Sequence, residues 1–399
     1  MSSGDTERVD AAFRLRDVAL SAYAPSIVSA IGHGAVLPVL ALRALDLGAD
    51  VPTAAFIVAL LGVGSLLASL PAGALVARIG ERRALTTVGS LDAVAMAFAA
   101  LTDSVVALGL AVLLSGMTWT VFMMARQGHL IDAVPLAFRA RAMAALGGSM
   151  RIGVLVGPLL GAGLIHLGGL TWVFWLAAAM SLASALLARS MPDLGSEHRG
   201  ATPHLSVVSV LMEHRRTLLT IGVAVVIISA SRALRIGLLP LWAEHVGLSA
   251  STTSLIFGAA AAVDLVCFLP GGWLMDTYGR FVVAVPVVAT TALACLLLPL
   301  ATSAVTVAAV MALMAVGNGL GAGIVMTLGA DTAPIEGRAQ YLGGWRLCGD
   351  IGLSGGALLV SLAAAAAPLA AACLVMGAGA ALGTVWVGYF TRRLDLSRR

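Results

Sequence analysis

The stretch PAGALVARIGERR, residues 71–83, separates two long apolar runs and recurs as PGGWLMDTYGR at residues 270–280. In both copies a proline near the end of an apolar run is followed by small residues, a turn glycine and arginine. The second copy carries Asp276 where the first has Ala77. A loop that occurs twice between apolar runs indicates that the chain consists of two copies of one larger unit.

The two copies are separated by 199 residues, and the same offset relates motifs elsewhere in the chain. It superimposes two Asp-x-x-Pro-x-x-x-Arg motifs, which begin at Asp132 and Asp331. It also relates later glycines, Gly153 with Gly352 and Gly157 with Gly356. Two parallel repeats with a pathway between them form the plan of many transporters.

Composition places both repeats in a membrane. Hydrophobic residues make up 60% of the chain and charged residues 11%, and the mean hydropathy is +1.00. A soluble chain has about a quarter charged residues, so we predict an integral membrane protein. All 24 basic residues are arginines spread over short loops, which argues against a nucleic-acid partner. The four cysteines lie in apolar runs without CxxC spacing, so we expect no disulfide, metal site or cofactor.

Apolar runs long enough to cross a bilayer, about 20 residues each, occur twelve times. We predict an all-α integral membrane protein of twelve transmembrane helices, spans 1 to 12, in two pseudo-symmetric six-helix bundles. The bundles cover residues 18–188 and 217–390, with an N-terminal segment 1–17, a linker 189–216 and a tail 391–399. We expect residues 205–216 to form a short interfacial helix. The predicted spans are 18–42, 52–77, 84–102, 105–130, 142–167, 170–188, 217–243, 251–275, 282–301, 305–330, 340–366 and 368–390.

The arginines predict the orientation. One side of the membrane receives the arginines of both termini, of the linker and of most loops, whereas the opposite loops carry only Arg43. Because arginine accumulates on the cytoplasmic side, we predict a multi-pass protein of the cell inner membrane with both termini cytoplasmic. No cleavage site follows the polar N-terminal segment, so we expect no removable signal peptide.

These motifs resemble the major facilitator superfamily over essentially the whole chain. The family's loop between helices 2 and 3, G-x-L-A-D-R-x-G-R-R, is matched by Gly73, Leu75, Arg78, Gly80, Arg82 and Arg83. The loop between helices 8 and 9 has the fuller form, with Gly272, Leu274, Asp276, Gly279 and Arg280. Span 5 carries GVLVGPLLGAG, residues 153–163, which is similar to the G-x-x-x-G-P-x-x-G-G motif of drug:proton antiporters.

The resemblance implies that both loops, together with Asp132 and Asp331, gate the cytoplasmic side. In the family the loop aspartate caps a helix start in the opposite half. Here Asp276 would cap span 5, while Ala77 leaves the start of span 11 without an anion and Arg78 could pair with Asp132. We therefore predict an asymmetric gate whose resting state is inward-open.

Span 5 carries a smooth helix face that permits close helix approach, built from Gly153, Gly157 and Gly161. Pro158 bends the helix within this face. The resemblance implies that the face meets span 8 across the two halves. We interpret it as a packing hinge, with a direct role in selectivity as the alternative.

Ionisable groups inside membrane spans are costly and usually functional. Arg151 of span 5 and Asp264 of span 8 lie at similar depth, and the resemblance places their helices in contact. We predict an ion pair between the halves, with Asp264 as the site of proton uptake; a static packing pair is the alternative. Local structural pairs are expected for Asp92 with Arg126 and for Arg346 with Asp350.

The family's central cavity is lined by helices 1, 4, 7 and 10. Its substrate-binding residues would therefore be His33, Trp119, Arg232, Arg235 and Asn318, although each could instead be a packing residue. The spans hold five arginines against three aspartates. A net positive interior favours a neutral or carboxylate-bearing small molecule over a lipophilic cation.

We thus predict a secondary active transporter that moves a small organic molecule by alternating access, with protons as the coupling ion. Proton-coupled efflux of a drug or metabolite is the first interpretation, and import or uniport of a neutral or anionic metabolite is the alternative. A membrane-embedded enzyme is the remote alternative, because the sequence lacks HExxH, GxSxG and metal-ligand clusters. We expect a monomer without catalytic residues.

Overall fold

A computed structural model describes residues 15–134, 139–191, 207–334, 336 and 338–398, and the regular structure of these residues is helical. Apolar side chains suit the helices to lipid, while their backbone groups bond internally. In chain order the spans are Leu15–Val36 with Leu40–Asp46, Val51–Ile79, Glu81–Leu101, Val105–Ala133, Arg139–Gly168, Leu170–Arg189, Arg215–His245, Ala250–Tyr278, Phe281–Leu300, Ala304–Thr332, Arg338–Ala366 and Leu369–Arg398.

Span 1 is bent. In the part of the chain that the structure describes, eleven helices are long and apolar enough to cross a membrane, and the pair Tyr23–Val36 with Leu40–Asp46 raises the number to at most twelve. The two parts of this pair meet at 42°. Pro38 lies in the break, where it removes a backbone hydrogen bond and prevents a continuous helix. The single span predicted for residues 18–42 is therefore two helices separated by a bend.

Span 10 is interrupted as well. Its first helix, Ala304–Leu320, ends at a turn of residues 321–323, and Ile324–Thr332 continues beyond it. Span 12 extends to Arg398, so most of the predicted tail is helical. A short helix, Val207–Glu213, lies within the region expected to form one. These departures concern helix ends and glycine-rich turns, where hydropathy carries little information.

Glycines with a left-handed backbone mark the same turns in both halves. Gly80 (φ 83°) and Gly279 (φ 99°) end spans 2 and 8. Gly48 (φ 87°) and Gly247 (φ 80°) lie just before the same two spans. Each pair is separated by 199 residues. Because glycine adopts this conformation without strain, the repeat seen in the sequence is present in the backbone.

The glycine face of span 5 packs against span 1 of its own half, which corrects the predicted contact with span 8. A Cβ on Gly153 would lie 2.5 Å from Ala30 Cβ, and one on Gly157 would lie 2.7 Å from Ala35 N. In the second half, Gly352 and Gly356 approach span 7 in the same way. Spans 5 and 8 do meet, but through larger side chains such as Leu159, which packs on Gly258.

The two halves share one core on one side of the membrane and have separate cores on the other. We call the side that holds Arg78, Arg189 and Arg280 the arginine side. The largest cluster of buried residues lies on the opposite side and combines both halves, for example Leu40 with Leu238 and Phe257. On the arginine side, three clusters each draw on one half alone.

Hydrogen bonds also join the two halves on the side opposite the arginine side, where they share a core. Ser251 Oγ of span 8 donates to the carbonyl of Ala162 in span 5 at 3.1 Å. Ser361 Oγ of span 11 donates to the carbonyl of Pro52 in span 2 at 2.9 Å. Both bonds join the two halves near the ends of the spans opposite the arginine side. Among the described residues, the shared core and these bonds therefore hold the two halves together on the side opposite the arginine side.

Candidate substrate and proton site

A cavity of about 100 Å³ lies between the halves. It holds several times the space that one water molecule needs. Spans 1, 2 and 4 of the first half and spans 7 and 11 of the second half line it, mostly with apolar side chains. The lining residues are His33, Leu37, Val58, Leu61, Gly62, Ser65, Gly116, Trp119, Ala233, Ile236, Leu353 and Ala357.

His33 and Trp119 form the polar and aromatic part of this cavity. Their rings stack with centroids 4.1 Å apart and planes 9° apart. His33 occupies the last turn of the first helix of span 1, just before the break. The broken helix therefore places an imidazole beside an aromatic ring at the interface between the halves, an arrangement suited to a partly apolar ligand.

Arg151 and Asp264 form an ion pair between the halves, in the contact that their depth suggested. Arg151 Nη1 of span 5 lies 3.0 Å from Asp264 Oδ2 of span 8. Asn318 Nδ2 of span 10 donates to the other carboxylate oxygen, Oδ1, at 2.7 Å. The Arg151 guanidinium also lies over the Phe268 ring, 4.6 Å from its centroid. Both carboxylate oxygens of Asp264 thus have partners, and the residue as a whole is buried, with 8% of its surface exposed.

Two further arginines of span 7 extend this charged cluster. Arg232 Nη2 donates to the carbonyl of Gly321 at 2.7 Å, and the same carbonyl accepts from the backbone N–H of Ile324 in the turn of span 10. The Nε atoms of Arg232 and Arg235 are buried without a hydrogen-bond partner among the described residues. Both arginines interact electrostatically with Asp264 and Arg151.

The five residues expected in one substrate site therefore divide into two groups. His33 and Trp119 line the cavity, whereas Asn318, Arg232 and Arg235 belong to the charged cluster around Asp264. Spans 2 and 11 contribute to the cavity where the sequence suggested span 10. The bond between Asn318 and Asp264 was not predicted, because a hydrogen bond between spans leaves no periodic signal in either helix.

The two local ion pairs expected within the halves are replaced by other contacts. Asp92 accepts hydrogen bonds from Thr118 Oγ1 at 3.0 Å and from Ser181 Oγ at 2.6 Å. Arg126 instead lies over the Phe122 ring, 5.5 Å from its centroid. Hydroxyl groups of spans 4 and 6 thus satisfy the carboxylate that was expected to hold Arg126.

Asp350 likewise bonds across the halves and not along its own helix. Its Oδ2 accepts from Ser69 Oγ of span 2 at 2.5 Å, and the described residues show no ion pair with Arg346. Arg346 contributes only longer-range attraction. Sequence spacing alone did not predict this contact. Arg346, four positions away on the same helix, competes for Asp350 with Ser69 of the neighbouring helix, and Ser69 is the closer of the two.

The second of the two predicted gating loops is held by its own half. Arg280 Nε and Nη2 donate to the two oxygens of Asp331 at 2.7 and 3.3 Å, and this bonding raises the pKa of the Arg280 guanidinium. Asp395 of span 12 accepts from the backbone N–H groups of Arg280 and Phe281 at 3.0 and 2.9 Å. An anion at the start of span 9 is favourable there, and this contact was not predicted from the sequence.

The other predicted gating residues lie at the exposed helix ends. Asp276 and Arg78 are exposed and form no ion pair within the described part of the chain. Gly73 and Gly272 have room for a side chain, with only Met124 Cε, 3.9 Å away, near Gly73. The side chain of Asp132, the proposed partner of Arg78, and the turn that precedes span 5, the proposed partner of Asp276, lie outside the described residues.

Comparison with known sequences places these features in a family. The sequence model described as Major Facilitator Superfamily matches residues 26–357 and 221–399. Uncharacterized MFS-type transporters of Mycobacterium tuberculosis, strains CDC 1551 / Oshkosh and H37Rv, are each 28% identical over 247 residues. That match covers 58% of this chain and 58% of each relative's length.

Solved structures share the fold over nearly the whole chain. A POT family transporter in complex with a thioalcohol conjugated peptide superimposes with a TM-score of 0.78 at 14% identity, covering 95% of this chain and 96% of that chain. The nucleoside transporter NupG gives a TM-score of 0.75 at 12% identity, covering 94% and 99%. At these identities the likeness concerns the fold alone. With the family match over most of its length, the chain belongs to the major facilitator superfamily of membrane transporters.

Proposed function

We propose that this protein is a proton-coupled secondary transporter that moves a small organic molecule by alternating access. The observation that carries the proposal is the Arg151–Asp264 ion pair, which joins the two halves inside the membrane. A carboxylate that holds a guanidinium of the opposite half while charged releases it when protonated. Proton uptake by Asp264 would therefore weaken a contact between the halves at the point where alternating access must separate them.

The arginine side is cytoplasmic in this proposal, because arginine accumulates on that side of inner membranes. Separate cores on the arginine side and one shared core on the other support an inward-facing arrangement. The protein would act as a monomer, since one chain supplies both halves of the pathway. It would work without a cofactor, because the driving force comes from the proton gradient.

Export is the first candidate direction, since the motif of span 5 resembles that of drug:proton antiporters. Uptake of an anionic metabolite is the second candidate. The cluster of arginines around Asp264 favours this second candidate, because positive charge in the pathway attracts an anion. In the first candidate protons and cargo move in opposite directions. In the second they move in the same direction, so the direction of proton flux relative to cargo distinguishes the two.

Substitution of Asp264 by asparagine tests the proposed coupling. Purified protein is first screened for small molecules that raise its melting temperature, and a stabilising molecule is then followed into proteoliposomes under an imposed pH gradient. We expect Asp264→Asn to lose gradient-driven accumulation while it still equilibrates the molecule across the membrane. Asp103→Asn, a change at an exposed loop carboxylate, is the matched control. Gradient-driven transport with unaltered pH dependence in Asp264→Asn would exclude this carboxylate as the coupling site.

A further inference from the structure

We infer that the arginine cluster of spans 5 and 7 is an anion-binding site, and that the cargo carries a carboxylate or phosphonate group on an apolar body. The description of this ligand as cargo rests on the proposed transport function. The binding site itself rests on charge, on unsatisfied donors and on the adjacency of Arg232 and Arg235 to cavity-lining residues of span 7.

The cluster carries an excess of positive charge inside the membrane. Arg151, Arg232 and Arg235 interact with one another and with Asp264, which is the carboxylate of the described residues that acts on both span 7 arginines. Three guanidinium groups against one carboxylate leave two positive charges without a counter-ion in the described part of the cluster. Uncompensated charge in a medium of low polarity is costly, so an anion that enters this region is strongly favoured.

The cluster also presents donors that the protein does not use. The Nε atoms of Arg232 and Arg235 are buried and have no hydrogen-bond partner within the described chain. Arg235 has no described hydrogen bond at all, and its side chain is only partly buried. A guanidinium offers a planar fork of donors that matches the two oxygens of a carboxylate or phosphonate. The unused donors thus indicate the kind of acceptor that binds there.

The position of the cluster defines the rest of the ligand. Ala233 and Ile236, which directly follow Arg232 and Arg235 along span 7, line the cavity between the halves. Apart from His33, Ser65 and Trp119, this cavity is lined by aliphatic residues and glycine. A molecule whose anionic group reaches the arginines therefore places an apolar body in the cavity.

Asp264 competes with such a ligand for the same guanidinium groups. It holds Arg151 at 3.0 Å and attracts both arginines of span 7. Removal of its charge, by protonation or by substitution, leaves three positive charges for the ligand. The anion and a proton on Asp264 should therefore bind with positive cooperativity, which matches movement of both in the same direction.

Binding to the purified full-length protein tests the site directly. Benzoate and phenylphosphonate serve as anionic probes, and benzamide and benzylamine serve as neutral and cationic counterparts of the same size. Melting temperature and titration calorimetry report binding without any flux measurement. We expect the two anions to stabilise the protein and the other two probes to leave it unchanged. Equal stabilisation by benzamide or benzylamine, or none by either anion, would overturn the anion site.

Variants separate a binding role from a structural one. Arg235→Gln should weaken benzoate binding about tenfold or more, the effect of losing one charge-assisted contact, and Arg235→Lys should fall between it and the wild type. Arg189→Gln, at the exposed end of span 6, should bind benzoate as the wild type does. Asp264→Asn should bind benzoate more tightly, whereas damage to the fold would weaken it.

The binding and transport proposals can fail independently. If benzoate binding follows Arg235 but gradient-driven flux ignores Asp264, the anion site stands and proton coupling is wrong. If flux depends on Asp264 but Arg235→Gln binds benzoate normally, coupling stands and the anion site is wrong.

Discussion

Asp92 shows how a single buried carboxylate is held inside the first half. It receives hydroxyl hydrogen bonds from Thr118 of span 4 and Ser181 of span 6, so it ties three helices together. Two small cavities border it, and His33 lines one of them. A buried carboxylate with donors from two neighbouring helices is suited to a structural role.

The structural role of Asp92 predicts a graded loss of stability. Asp92→Ala removes the acceptor for two hydroxyl groups and should destabilise the protein by about 2 kcal/mol. Asp92→Asn keeps an acceptor oxygen and should lose less than half of that. Thermal unfolding of the purified variants in detergent, with Asp103→Asn as an exposed control, measures both. Equal stability of Asp92→Ala and the wild type would contradict this assignment.

At the level of single residues, depth in the membrane was predictable, but depth alone did not identify the partner of a charged group. Arg151 and Asp264 were matched by depth and by the expected contact of their helices, and the structure joins them. Asp92 was matched to Arg126 on depth alone, and the structure gives each a different neighbour. Helix rotation decides which groups face each other, and a sequence that is apolar on all sides of its helices leaves rotation undetermined.

In each half, glycine allows two helices of that half to approach closely: spans 5 and 1 in the first half, and spans 11 and 7 in the second. Gly157 lies so close to the backbone of span 1 that an added Cβ would overlap the carbonyl of Ile31 and the amide of Ala35. Gly356 is equally close to Ala230 of span 7. A Cβ added at Gly163, on the same helix as Gly157, would meet no neighbouring atom within 4 Å. Only glycines that face a neighbouring helix backbone, such as Gly157 and Gly356, are thus required for close packing, whereas Gly163 is not.

This difference predicts opposite outcomes for one substitution on one helix. Gly157→Val should force spans 1 and 5 apart and destabilise the protein by about 1–3 kcal/mol, the usual range for overpacking. Gly163→Val should be close to neutral, and Gly356→Val should resemble Gly157→Val. Yield and melting temperature of the three variants provide the measurement. Comparable damage from Gly163→Val would show that helix propensity, and not close approach, explains these glycines.

The positions of the spans along the chain and the internal repeat were predictable from the sequence. The breaks within spans and the packing partners of the helices were not. Long apolar runs located the spans, and the offset of 199 residues identified the repeat. The breaks near Pro38 and Gly321 and the contact of the span 5 glycines with span 1 emerged only in three dimensions. Lipid and protein interior are both apolar, so hydropathy does not distinguish a helix face that meets a neighbour from one that meets lipid.

Across the whole molecule, the repeat produces two interfaces of related geometry but different chemistry. Arg151 and Asp350 occupy equivalent positions, and each reaches the opposite half: Arg151 bonds to Asp264, and Asp350 bonds to Ser69. Ser65 and Ser69 of span 2 are the equivalents of Asp264 and Phe268 of span 8. One interface therefore contains an ion pair, while the other contains a carboxylate held by a hydroxyl. The repeat thus keeps a polar contact between the halves at equivalent positions but changes its chemistry.

The two predicted gating loops also differ in charge, because the second has Asp276 where the first has Ala77. Ala77→Asp tests whether this difference sets the balance between the inward-open and outward-open states. The substitution restores an anion that can act on the start of span 11 once the arginine side closes, so it should favour the state that opens on the other side. Ser361→Cys, in a chain whose four native cysteines are replaced by serine, places a thiol at the closed contact with Pro52. We expect Ala77→Asp to raise its labelling by a membrane-impermeant maleimide about threefold to tenfold, as an added charge–dipole contact of roughly 1 kcal/mol allows. Ala77→Asn, which adds similar bulk without charge, should leave labelling near the level of Ala77. If both variants label alike, the missing aspartate does not set the balance between the two states, and its absence from the first loop has another cause.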